Sequence, residues 1–112
     1  MSSPKSAAAF LLVETTCNDP RVLTQIAEHL VDERLAACVQ ISGPVQSVYR
    51  WEGKTEVAEE WLLRAKTRAG LWEAIAGAIK KLHPYEVPEL IATPLAEIDL
   101  EYQRWMDEAL RS

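Results

Sequence analysis

Apolar and polar residues alternate along two stretches in the middle of the chain, one on either side of Gly53. A period of two residues is typical of β-strands, and glycine permits the backbone reversal between them. The pattern predicts a long β-hairpin over residues 35–66, with its turn at residues 51–55. A bulge is expected at Gly43-Pro44, because proline has no backbone N–H to donate to the neighbouring strand. The alternating positions are Val45, Ser47, Tyr49 and Trp51 on the first limb and Trp61, Leu63 and Ala65 on the second.

Each limb of this hairpin is about a dozen residues long, roughly twice the common strand length. A small domain cannot bury the whole of such a ribbon by itself. Aromatic side chains dominate buried interfaces between subunits. We therefore expect Tyr49, Trp51 and Trp61 to pack against another copy of the chain.

The stretches before and after the hairpin show helical spacing instead. The first begins at Asp19-Pro20, a favourable helix start, and runs to about Arg34. The second follows Lys66, with Thr67 as a candidate cap, and ends at His83 because the residue before a proline resists helical geometry. The apolar stripes are Val22, Leu23, Ile26, Ala27, Leu30 and Val31, then Leu71, Trp72, Ile75, Ile79 and Leu82.

The remaining apolar segments predict two outer strands and a last helix. Residues 7–13 form the first strand, followed by a loop at 15–18; residues 89–95 form a short fourth strand, and residues 99–110 a helix. The order is βαββαβ plus a C-terminal helix, which is the α+β, ferredoxin-like split βαβ sandwich with an antiparallel sheet. Both main helices then cover one face of the sheet, and the other face is left without cover.

Composition narrows the class of protein. A length of 112 residues with 48% hydrophobic content suits one domain over residues 1–112, with residues 1–6 as a flexible leader. The net charge of -5 argues against nucleic acid as a partner.

The apolar run after Lys5 lacks a signal cleavage site and is far too short to span a membrane, so we expect a cytoplasmic protein without membrane contacts. No catalytic constellation or phosphate-binding glycine motif occurs, so we expect neither an enzyme nor an organic cofactor.

Two motifs make a family resemblance visible: LAACVQI with VYRWEGK in the hairpin, and KKLHPYEVPEL between the second helix and the fourth strand. With these motifs at their expected separation, the chain resembles the CutA divalent-cation-tolerance family from about Phe10 to Leu110. The resemblance implies a ferredoxin-like fold and a tight homotrimer built through the long hairpins. It also implies a mostly cytoplasmic bacterial protein with a role in tolerance of copper and other divalent metals.

The resemblance also points to metal ligands, of which this chain keeps only some. Some copper-binding members carry a second histidine where this chain has Leu82, and a cysteine that falls on Thr15. We therefore expect weak binding of copper or another divalent cation by His83, Cys17 and Glu86. His83 has an alternative interpretation as a cap on helix carbonyls. Cys17 and Cys38 have an alternative interpretation as reduced, buried thiols.

Two other functions stay open at this point. Trimeric ferredoxin-like proteins of the PII signalling type bind small anionic ligands in clefts between subunits, although a shared fold does not establish function. The second open function is that of a trimeric scaffold that presents a surface to a protein partner. The candidate cleft residues are Lys66, Glu60, Tyr85 and Glu89, with Lys66, Arg64 and Lys54 as candidate anion contacts.

Overall fold

The computed structural model describes residues 9–112, so the predicted leader at residues 1–6 lies outside the described part of the chain. Four strands form one sheet in the order β2-β3-β1-β4, and every neighbouring pair is antiparallel. This confirms the predicted α+β, ferredoxin-like arrangement. The elements are β1 Phe10–Cys17, α1 Pro20–Asp32, β2 Cys38–Trp51, β3 Lys54–Arg68, α2 Trp72–Leu82, β4 Ile91–Pro94 and α3 Leu100–Ala109. Within residues 9–112, no helix is both long enough and apolar enough to cross a bilayer.

The core lies between the two helices α1 and α2 and one face of the sheet. On that face Val13 pairs with Ala65 and Thr15 pairs with Leu63, and all four side chains are buried. The helices contribute apolar side chains at helical spacing, which confirms the central part of each expected stripe. Those that are fully buried are Leu23, Ile26 and Leu30 from α1 and Ile75 and Ile79 from α2. Two predicted members of the stripes, Val31 and Leu82, are exposed instead.

The second face of the sheet is partly covered by α3. Lys66 and Arg68 alternate with the core residues of β3, so their side chains point to this second face. Lys66 Nζ donates to the Tyr102 hydroxyl at 3.2 Å, and Arg68 Nη2 donates to the Asp107 carboxylate at 3.0 Å. Both acceptors belong to α3. The prediction that this face is left uncovered is therefore wrong at the α3 end and holds only toward the hairpin.

Beyond the sheet, β2 and β3 continue as a two-stranded ribbon. β1 pairs with β3 only between Trp61 and Arg68, so within the described residues 9–112 the segment 45–60 pairs with no third strand. The turn residues Glu52 and Gly53 have φ of 50° and 80°, as a tight two-residue hairpin turn requires. The ribbon confirms the predicted hairpin and its turn.

The predicted bulge is also present at the root of the ribbon. The pairing register shifts between Ser42 and Val45, which confirms the interruption expected at Gly43-Pro44. Gly43 has φ of 139°, and a Cβ atom there would lie 2.8 Å from Cδ1 of Trp61. A glycine is therefore required where the Trp61 ring crosses the first limb.

Several boundaries differ from those predicted: β4 is shorter than residues 89–95, and two other differences change the interpretation. β1 continues to Cys17, which pairs with Trp61, so the loop predicted at residues 15–18 is wrong. Thr67 is not a helix cap, because β3 runs on to Arg68 and a short 3-10 turn precedes α2. The Thr67 hydroxyl instead donates to the Leu35 carbonyl at 2.6 Å inside the core.

Candidate functional site

His83 lies at the end of α2, where Pro84 prevents the helix from continuing. The ring is buried, with 7% of the residue exposed. Nε2 lies 2.7 Å from the Thr16 carbonyl oxygen, and Nδ1 accepts the backbone N–H of Tyr85 at 3.1 Å. A carbonyl requires a donor and an N–H requires an acceptor, so Nε2 carries the proton and Nδ1 is unprotonated. These two partners select one neutral tautomer of His83.

Both ring nitrogens of His83 are therefore occupied by protein groups. Copper and zinc bind a histidine through a free nitrogen lone pair, so ligation would require one of these hydrogen bonds to break. The ring bonds a strand carbonyl rather than the carbonyls of α2, so it does not cap the helix as the alternative interpretation expected. The backbone N–H of His83 does cap α2, because it donates to the Ile79 carbonyl. Its imidazole joins the end of α2 to β1.

The other two predicted metal ligands differ in exposure. Cys17 is fully buried, and its thiol lies 3.8 Å from the Asn18 side-chain oxygen. Glu86 is exposed on the loop that follows His83. Within residues 9–112, no group of three or more His, Cys, Asp or Glu side chains is placed to hold a metal ion. Metal ligation by His83, Cys17 and Glu86 therefore stays a prediction.

A second contact links the same loop to the hairpin. The Tyr85 hydroxyl donates to Oε2 of Glu60 at 2.7 Å, and the Tyr85 ring stands edge-on to His83 with centroids 4.7 Å apart. Burial, reinforced by the hydrogen bond to Glu60, raises the pKa of the Tyr85 hydroxyl. Tyr85 therefore keeps its proton and acts as a donor. The sequence does not point to Thr16, whose carbonyl anchors His83, because a loop at residues 15–18 would present no strand carbonyl to the ring.

A groove of about 700 Å³ opens beside this pair, on the second face of the sheet. It brings together three of the four predicted cleft residues, Glu60, Tyr85 and Glu89. The fourth, Lys66, does not line the groove, because it bonds to Tyr102 under α3. The other lining residues are Thr16, Asn18, Ser47, Val48, Tyr49, Trp51, Ala58, Glu86 and Val87.

The charge of this groove is negative. Burial raises the pKa of Glu89, and the nearby carboxylates of Glu14 and Glu60 raise it further. Neither Arg64 nor Lys54 lines the groove, and Arg64 pairs with Glu14 at 2.9 Å. The predicted anion contacts are therefore not assembled here, and none of the described residues that line the groove carries a positive charge.

The predicted interface residues fall into two groups. Tyr49 is 45% exposed and Trp51 is 52% exposed on the ribbon, alongside Val48 and Val57 at about 60%. Trp61 is half-buried within its own chain, where it packs on the core and against Gly43. One chain therefore covers part of Trp61 and leaves about half of Tyr49 and Trp51 uncovered. Contact of these three residues with another copy stays a prediction.

Comparison with known proteins places this geometry in a family. The family model of the CutA1 divalent ion tolerance protein matches residues 11–109. The chain belongs to the CutA1 family. The divalent-cation tolerance protein CutA of Thermus thermophilus is 42% identical, over 87% of this chain and 94% of that protein. The human protein CutA is 37% identical over 95% of this chain, which spans only 57% of the human protein.

Solved CutA1 structures share the fold. CutA1 from the psychrotrophic bacterium Shewanella sp. SIB1 superimposes with a TM-score of 0.91 at 37% identity, covering 94% of this chain and 98% of that one. CutA1 of Thermus thermophilus gives a TM-score of 0.88 at 40% identity, covering 91% of this chain and 99% of that one. The long hairpin and the strand order are therefore those of the CutA1 family.

Proposed function

We propose that this chain acts in divalent-cation tolerance, as a non-catalytic cytoplasmic homotrimer that binds copper or another divalent cation weakly. The observation that carries the proposal is membership of the CutA1 divalent ion tolerance family across residues 11–109. The two free cysteines, Cys17 and Cys38, are in keeping with a reducing compartment.

The ribbon supports assembly with further copies of the chain. A lone two-stranded ribbon is marginally stable in water, and this one exposes apolar side chains on both faces. Side chains alternate along β2, so Tyr49 and Trp51 point to one side of the ribbon and Val48 points to the other. β2 is also an edge of the sheet over its 14 residues, and such edges attract further strands. The number of three copies rests on the family resemblance.

The contacts of His83 support weak rather than tight metal binding. A metal at Nδ1 must displace the Tyr85 N–H, and a metal at Nε2 must displace both a proton and the Thr16 carbonyl. Each hydrogen bond given up costs about 0.5–1.5 kcal/mol, and 1.4 kcal/mol corresponds to about tenfold in affinity.

Calorimetric titration with copper and zinc tests the metal part. Wild type is compared with His83→Ala and Cys17→Ser, and His29→Ala serves as the control because His29 is exposed on α1. We expect weak, saturable binding that His83→Ala lowers by at least tenfold and His29→Ala leaves unchanged. Absence of saturable binding in wild type, or equal binding by all four proteins, would contradict the proposed ligands.

Growth under metal stress tests the tolerance role itself. Cells that lack their own CutA1 protein are compared with and without this chain over a graded copper series. We expect the chain to extend growth to higher copper, and a variant with Trp51→Ala to extend it less because assembly is weakened. Identical growth with and without the chain would refute the tolerance role.

A further inference from the structure

The Glu60 carboxylate is buried, and no cationic side chain of residues 9–112 pairs with it. The residue is 6% exposed, and its hydrogen bond from the Tyr85 hydroxyl engages only Oε2. The ion pairs formed within residues 9–112 are Arg21–Asp19, Arg64–Glu14 and Arg68–Asp107, and none includes Glu60. Buried carboxylates in proteins are normally paired with a positive charge. Glu60 therefore presents acceptor capacity that no described side chain satisfies.

Glu60 lines the groove of about 700 Å³, a volume in the usual range for small-molecule sites. Two aromatic side chains, Tyr49 and Trp51, form part of its wall and are half exposed in the isolated chain. Aromatic faces attract cations as well as apolar groups. The charged residues of the lining are all acidic, namely Glu60, Glu86 and Glu89.

We propose that this groove binds a small organic ammonium ion, an alkyl or aryl amine with an apolar body. Its N–H groups donate to Glu60, and its body lies against Tyr49 and Trp51. An N–H donor on a cation forms a stronger hydrogen bond to a carboxylate than a neutral donor does. The combination of a buried carboxylate with aromatic walls selects an amine over an alcohol or an acid of the same size.

Two further features agree with a cationic ligand. The pKa of Glu89 is raised by burial and by Glu14 and Glu60, and a bound ammonium ion would relieve that repulsion. Tyr49 and Trp51 also belong to the proposed contact between subunits, so the groove lies at a boundary between copies, where ligand sites commonly form. Amine binding in this groove does not require metal binding by His83.

The test uses three ligands of nearly equal size and different charge. Full-length protein is titrated by calorimetry with 2-phenylethylammonium, 2-phenylethanol and phenylacetate at about pH 7, in the presence of a chelator that removes metal ions. We expect saturable binding of the ammonium ion, with at least tenfold weaker binding of the alcohol and none of the carboxylate. Equal affinity for the ammonium ion and the alcohol would overturn the proposal, because it would show an apolar groove without charge selection.

Variants identify the residue responsible. Glu60→Gln keeps an acceptor for the Tyr85 hydroxyl and removes the charge, while Glu28→Gln makes the same change at an exposed position on α1. We expect Glu60→Gln to weaken binding of the ammonium ion at least fivefold and Glu28→Gln to leave it unchanged. An unchanged affinity in Glu60→Gln would overturn the proposal. Absence of ammonium binding to wild type would also overturn the proposal, and this result is expected if a side chain of a second copy fills the groove.

Discussion

Thr15 and Thr67 provide a matched pair for measuring what a buried hydroxyl contributes. Both are fully buried on the helix-facing side of the sheet, on the neighbouring strands β1 and β3. The Thr67 hydroxyl donates to the Leu35 carbonyl at 2.6 Å, whereas the Thr15 hydroxyl has no partner among the described residues. The same substitution, threonine to valine, should therefore have opposite effects at the two positions.

The magnitudes follow from the hydrogen bonds. Thr67→Val leaves the buried Leu35 carbonyl without its donor, which costs about 1–3 kcal/mol in free energy of unfolding. Thr15→Val replaces an unpaired hydroxyl by a methyl group of similar size, which should raise the free energy of unfolding by about 1 kcal/mol. The two variants should thus differ by about 2–4 kcal/mol although the chemical change is identical.

Urea unfolding of both variants and of wild type measures this difference. All samples are compared at one protein concentration, because association stabilises the folded chain by mass action. The denaturant slope must be equal for the three proteins, so that a shift in midpoint reports stability. Destabilisation by similar amounts at both positions would refute the reasoning, since it would show that the Thr15 hydroxyl is as well satisfied as that of Thr67.

Three further outcomes are expected. Gly43→Ala should lower the free energy of unfolding by about 1–3 kcal/mol, because the new Cβ meets the Trp61 ring and the backbone has a positive φ. Gly70→Ala should change it little because the space around Gly70 is open, and urea unfolding of the two variants measures the difference. Glu89 has a raised pKa, so the unfolded state ionises first and stability falls as pH rises from about 4.5 through the folded-state pKa. Glu89→Gln should therefore raise the melting temperature at about pH 7 and not at about pH 3, as calorimetry at the two pH values will show. The melting temperature of wild type should rise with protein concentration if dissociation accompanies unfolding, and a constant value would contradict coupled dissociation.

The hairpin could be predicted from sequence because its signals are local. Alternation of period two, a glycine at the turn and proline at the bulge all act within a few residues. The stop of α2 at His83 is local in the same way, since it depends on the next residue, Pro84. The βαββαβ order of elements then leaves few ways to build the sheet.

The contacts of the site could not be predicted because they join distant parts of the chain. His83 meets a backbone carbonyl 67 positions earlier, and Tyr85 meets a side chain 25 positions earlier. The identity of His83 leaves its tautomer open, and only the two partners fix it. Polar residues at positions 15–18 suggested a loop, although the β-branched Thr15 and Thr16 favour a strand and gave a usable signal.

Assembly of three copies through the hairpins can be measured as the mass of the protein in solution. Light scattering on the purified chain at micromolar concentration should give three times the chain mass of 12.6 kDa. Trp51→Ala should shift the population toward lighter species, because the exposed indole is removed from the proposed contact. A mass of one chain for wild type would contradict assembly through the ribbon, and a mass of two chains would contradict the trimer.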